Sequence, residues 1–155
     1  MEQSQSEVVH KGKFNADKTG KVFYTAKTHT IGGRVGGSAK SDDGQLDVMF
    51  ASPGAKGRGT NPEQMFAAGW SACFIGAMGG VAQKEKIPLP KDTAVDAEVD
   101  LVVSGGQDYS LQARLNVTLP GIDREKALQI VEAASHVCPY SKAIEGNVEV
   151  TYHLV

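Results

Sequence analysis

The chain's 155 residues are the usual size of one compact domain, and 41% hydrophobic with 22% charged residues is the balance of a globular protein. A formal net charge of −2 lacks the basic excess of a nucleic-acid binder, and no block of like charges marks an interaction tail.

Met1 to Asp17 is polar, carries both charge signs and has no apolar segment, so it does not read as a secretory signal. Residues 1–20 are expected to be a polar N-terminal extension leading into a single domain over 21–155. With no export signal, the expected compartment is the cytoplasm, where a structural disulfide is unusual. The two cysteines, Cys73 and Cys138, are then either inert buried thiols or redox groups.

Val22 to Thr30, rich in β-branched and aromatic residues, reads as a strand, and Gly32-Gly33-Arg34-Val35-Gly36-Gly37 as a turn that sets an arginine between glycine pairs. Leu46 to Phe50 is a short strand, and Ser52 to Thr60, with its proline and glycines, a loop. Thr60 or Asn61 as N-cap and Pro62 in the first turn open a helix. From Met65 to Ala82 no residue is charged, which raises the question of a membrane span. Four glycines and many alanines make the run weakly apolar, no second span accompanies it, and amphipathic strands flank it. It reads as the central buried helix of a soluble fold, without membrane insertion. Ala94 to Val103 and Tyr109 to Leu119 alternate and form a hairpin across Gly105-Gly106. Asp123 caps a second helix with Ala127, Leu128, Ile130, Val131, Ala134 and Val137 at helical spacing, stopping at Cys138-Pro139. Asn147 to Val155 is a last strand. This order indicates an α+β fold with antiparallel sheets packed around a central buried helix.

A reactive cysteine must be a thiolate. Cys73 lies too deep in its helix for the N-terminus to help, and no Lys or Arg stands between Arg58 and Lys84. Burial alone raises its pKa, so reactivity requires an imported cation. Arg34 on its glycine-flanked turn is the candidate, its plainer reading being a solvated turn residue. Glu63 either closes a capping box with Thr60 or orients Arg34 through a two-pronged pair. Ten residues of helix, about 15 Å, separate Glu63 from Cys73, so both can serve one site only if a second subunit supplies one of them. Cys138, at a helix end before proline, suits a resolving thiol or a core thiol equally well. His136-x-Cys138 is not a zinc spacing and no Cys-x2-Cys pair exists, so no metal site is expected.

Gly32-Gly33-Arg34-x-Gly36, the run Thr60-Asn61-Pro62-Glu63-Gln64-Met65-Phe66-Ala67-Ala68-Gly69-Trp70-Ser71-Ala72-Cys73-Phe74, and Cys138-Pro139-Tyr140-Ser141 with Gly146-Asn147 resemble the organic hydroperoxide resistance proteins of the OsmC-like superfamily. The likeness runs in order from about Val22 to Val155. It implies an intertwined homodimer with sites at its interface, and a thiol peroxidase acting on organic hydroperoxides. By position, Cys73 matches the family's attacking cysteine, Cys138 its resolving cysteine, Arg34 the activating arginine and Glu63 the acid that positions it. The implied cycle passes through a Cys73 sulfenic acid and a Cys73–Cys138 disulfide, recycled by a dithiol, a lipoyl group on a protein, with no metal or organic cofactor. Trp70, Phe74 and Met78 are candidates to line an apolar substrate site, core packing being the simpler reading. Trp70 stands where the family more often has tyrosine. Two alternatives stay open: an OsmC-type peroxidase of broader substrate range, and a non-catalytic disulfide switch.

Overall fold

A computed structural model describes residues 19–155; the polar extension expected over 1–20 lies almost wholly outside the described residues. Three strands come first: β1 (Thr28–Ile31), β2 (Ser38–Ser41) and β3 (Asp47–Met49). They form an antiparallel sheet in the order β1-β2-β3. The strand expected from Val22 begins only at Thr28, and Val22, Phe23 and Tyr24 stand almost fully exposed. Strand-forming residues need an edge to pair with, and the protomer offers this segment none. β2, with the sequence SAKS, carries no strand signature and is a strand because it is bonded on both sides.

The β1–β2 turn needs its glycines. A Cβ on Gly37 would come within 2.2 Å of the Gly33 carbonyl oxygen, and Gly32, Gly33 and Gly36 all have positive φ. This tight turn carries Arg34.

Helix α1 (Pro62–Lys84) starts where the sequence places it. Asn61 is the N-cap, its side chain accepting from the Gln64 backbone N–H at 2.9 Å. The Thr60–Glu63 capping box does not form: Thr60 donates to Gln64 Oε1, and Glu63 turns away to Arg34. Trp70, Phe74, Met78 and Ala82 make one fully buried stripe at four-residue spacing. By length and composition α1 is apolar enough to cross a membrane, yet in this fold that stripe packs into the core of its own chain.

The core partners are Ala113, Leu115, Val117 and Leu119 beneath α1, and Ala127, Ile130, Val131 and Ala134 of helix α2 (Arg124–Val137). Strands β4 (Ala94–Ser104) and β5 (Asp108–Thr118) form the expected hairpin, closed at Ser104 and Asp108. Strand β6 (Glu149–Leu154) then pairs parallel to β5, so the larger sheet is mixed rather than purely antiparallel. The crossover through α2 returns the chain to the same end of the sheet, which dictates that direction. Helix α2 stops at Cys138 as expected, but Pro139 opens a further short helix, α3 (Pro139–Ile144), with Cys138 as its N-cap. The architecture is α+β, and among the described residues no extensive packing joins the small sheet to α1 or to the larger sheet.

Candidate active site

Two pairs of side chains stand out, and α1 carries one member of each. Near its middle, the Cys73 sulfur lies 3.4 Å from that of Cys138. Both thiols are free, Cys138 fully buried and Cys73 partly so. A disulfide needs a sulfur separation of about 2.05 Å, so closure asks for little more than an ångström of approach. Closing the pair therefore asks for little movement of the segment that carries Cys138.

Burial pushes the Cys73 thiol above its ordinary range; the nearby backbone N–H of Tyr140 pulls the other way, and the bond to Cys138 and that group's charge push it up again. Among the described residues no cationic side chain acts on Cys73. The imported charge that the sequence asks for is absent from its own chain's middle.

It sits at the other end of the helix. Arg34 forks onto Glu63, Nη2 to Oε1 at 2.5 Å and Nη1 to Oε2 at 3.5 Å. Glu63 is in the first turn of α1 and mostly covered, while Arg34 is 43% exposed. The pair is about 15 Å along the axis from Cys73. The four residues singled out by sequence thus fall into two pairs, thiol with thiol and arginine with glutamate, and one protomer does not bring the pairs together.

Trp70, Phe74 and Met78 are not on a solvent-accessible surface. All three are fully buried in the protomer core against β5 and α2, which matches the simpler of the two readings, core packing. An apolar-walled groove of about 390 Å³ opens instead beside Glu63, lined by Ala67, Ala97, Val99 and Leu101 with Asn61 and Gln64 at its polar side.

Sequence reading missed the support beneath the thiols. Ser141, buried, accepts the Trp70 Nε1–H and the Tyr152 hydroxyl proton, each at 3.0 Å. The Tyr140 ring lies over Gly69, where an added Cβ would come within 3.2 Å of its hydroxyl oxygen, and leans on Phe66 at 6.2 Å between ring centres. A small residue at 69 lets α3 approach α1 closely enough for the Tyr140 N–H to reach Cys73.

Residues 54–153 match the model of the family described as OsmC-like protein. The organic hydroperoxide resistance protein of Xanthomonas axonopodis pv. citri is 44% identical over 139 residues, 86% of this chain and 96% of its own. The crystal structure of the organic hydroperoxide resistance protein OhrB of Bacillus subtilis superposes with a TM-score of 0.80 at 41% identity, covering 86% of this chain and all of that one. A Vibrio cholerae structure, a putative organic hydroperoxide resistance protein with captopril bound in one of its active sites, gives 0.80 at 34% identity over 88% of this chain and 95% of its own. With this α+β topology and likeness along most of its length, the chain belongs to the OsmC-like family, among the organic hydroperoxide resistance proteins.

Proposed function

We propose that the protein is a homodimeric thiol peroxidase that reduces organic hydroperoxides, alkyl or fatty-acyl, to alcohols. The observation that carries this reading is the 3.4 Å approach of two free thiols, one buried and one accessible, in a member of this family. The Cys73 thiolate attacks the distal peroxide oxygen; the O–O bond breaks, the alkoxide leaves and takes a proton, and Cys73 becomes a sulfenic acid. The Cys138 sulfur then attacks that sulfur and water departs, leaving the Cys73–Cys138 disulfide. A dithiol, in this reading a lipoyl group carried on a protein, reduces it by two thiol–disulfide exchanges. A reducible thiol pair fits a reducing compartment, the cytoplasm.

The first step needs a thiolate, and within one protomer burial favours the thiol. A second subunit resolves this. If two α1 helices pack antiparallel about a two-fold axis, residues 63 and 73 face each other when the axis passes beside their midpoint, residue 68. Ala68 is exposed there, and Ala72, Gly76 and Gly80 continue an exposed, small-residue stripe. Such a face lets helices close tightly. The partner's Arg34, held in its fork by the partner's Glu63, then reaches the Cys73 sulfur and can also donate to the peroxide. The groove beside Glu63 offers an apolar wall to the substrate's hydrocarbon. The exposed Val22, Phe23 and Tyr24, and a small sheet that packs on little of its own chain, are further surface for an intertwined partner.

The test mixes purified protein with an organic hydroperoxide and dihydrolipoamide and follows peroxide loss. Rapid turnover that disappears in Cys73→Ser supports the reading. Both thiols remaining free after excess peroxide would overturn it.

A further inference from the structure

The Cys138–Ser141 segment supplies two groups to the Cys73 sulfur: the thiol of Cys138 and the backbone N–H of Tyr140. Both belong to a stretch that begins where α2 ends, and a chain leaving a helix is free to choose its direction. One side chain in it is tied to two neighbouring elements. The Ser141 hydroxyl is buried and receives two hydrogen bonds at 3.0 Å from opposite sides, one from Trp70 on α1 and one from Tyr152 on β6. Each donor is itself locked. Trp70 is fully buried with its ring edge-on to Phe66 at 5.4 Å, and Tyr152 stacks on Phe74 at 5.3 Å. Burial also pushes the Tyr152 hydroxyl pKa up, so it remains protonated and a donor at neutral pH. Trp70 and Cys73 share α1, three residues apart, so the serine ties the resolving segment to the same helix that carries the nucleophile.

We propose that Ser141 is a positioning residue for the thiol pair: pinned by Trp70 and Tyr152, it aims the Cys138 sulfur and the Tyr140 backbone N–H at the Cys73 sulfur. It touches neither peroxide nor the reacting sulfurs, and acts through the backbone of residues 138–141. This rests on the reading of Cys73 as nucleophile and Cys138 as its resolving partner, and goes beyond it by naming what sets their geometry.

The experiment compares reduced full-length wild type with Ser141→Ala, Ser141→Thr and Tyr152→Phe. Two quantities are read: the pH profile of Cys73 alkylation by iodoacetamide, located by mass spectrometry, and the rate of Cys73–Cys138 disulfide formation after one equivalent of organic hydroperoxide or of diamide. In Ser141→Ala, which removes the acceptor of both hydrogen bonds, the alkylation midpoint moves up and disulfide formation slows roughly tenfold or more. With hydroperoxide, more sulfenic acid is then trapped by dimedone. Ser141→Thr, which keeps the hydroxyl, restores both quantities. Tyr152→Phe removes one of the two donors while keeping the ring stack, and moves both by less in the same direction; it also serves if Ser141→Ala fails to fold. Folded variants with wild-type alkylation profiles and disulfide rates, merely melting at lower temperature, would overturn the positioning role. The diamide and alkylation arms need no peroxide chemistry. A wild type inert to hydroperoxide thus sinks the peroxidase reading alone, while a shifted profile in the variants still upholds the positioning role.

Discussion

The two faces of α1 are equally free of charge and differ almost entirely in size. Trp70, Phe74, Met78 and Ala82 are fully buried, whereas Ala68, Ala72, Gly76 and Gly80, on the opposite side, are exposed. Large side chains fill the protomer's own core; small ones leave a strip that is exposed among the described residues. An apolar helix with one face free fits the proposed dimer, as does the separation of the charged pair at its head from the thiols at its middle.

The largest expected effect comes from the buried face. Phe74→Ala removes a fully buried ring that touches Tyr152, and should cost about 3–5 kcal/mol in chemical denaturation. A cost below about 1 kcal/mol would mean that the core can collapse around the gap and that this face is not the one that fixes the fold.

How far the sequence foretold this fold depended on whether its signals are local. The start of α1 was legible because Asn61-Pro62 acts on the first turn alone, and the β4–β5 hairpin because alternation and Gly105-Gly106 sit side by side. Which face of α1 is buried was not legible by period, since apolar residues surround the helix; size at four-residue spacing held that information. Strand propensity misled at Val22 to Ala26, which pairs with no strand among the described residues, and failed at Ser38–Ser41, where two edges make a strand of unpromising residues. Of the site, the four side chains with their own chemistry stood out, and the alternative of Glu63 as partner of Arg34 was the one realised. The Tyr140 N–H and the Ser141 anchor did not stand out. A backbone donor has no sequence signature, and Trp70 and Ser141 meet from 71 positions apart.

A substitution on the exposed face should leave the protomer intact and break the site. Ala68→Glu places a charge at the point where two α1 helices would cross, so sedimentation should find monomers that still unfold cooperatively. Cys73 then keeps the raised pKa of the isolated protomer. A raised pKa means less thiolate at neutral pH, so alkylation slows by about tenfold for each unit and recovers only as the pH climbs past the ordinary thiol range. If the proposed dimer sets the other subunit's arginine beside Cys73, the same titration in the wild type should fall below that range. Identical profiles in the two proteins would place the cation elsewhere.

The smallest effect carries the sharpest geometric information, because its sign decides. In the protomer a Cβ added to Gly76 meets nothing within 4 Å. Gly76→Ala should therefore gain the helix-propensity difference, up to about 1 kcal/mol, and raise the melting temperature. Residue 76 lies eight positions, about 12 Å, from a crossing at Ala68, far enough for helices packed at the common angle of about 50° to have diverged. A destabilised or dissociating Gly76→Ala variant would instead require the helices to touch at Gly76, either because they run nearly parallel in axis or because the two-fold lies nearer the helix C-terminus. The second alternative would separate Glu63 of one subunit from Cys73 of the other, so a single methyl group tests whether the exposed face assembles the site in the way its two half-sites require.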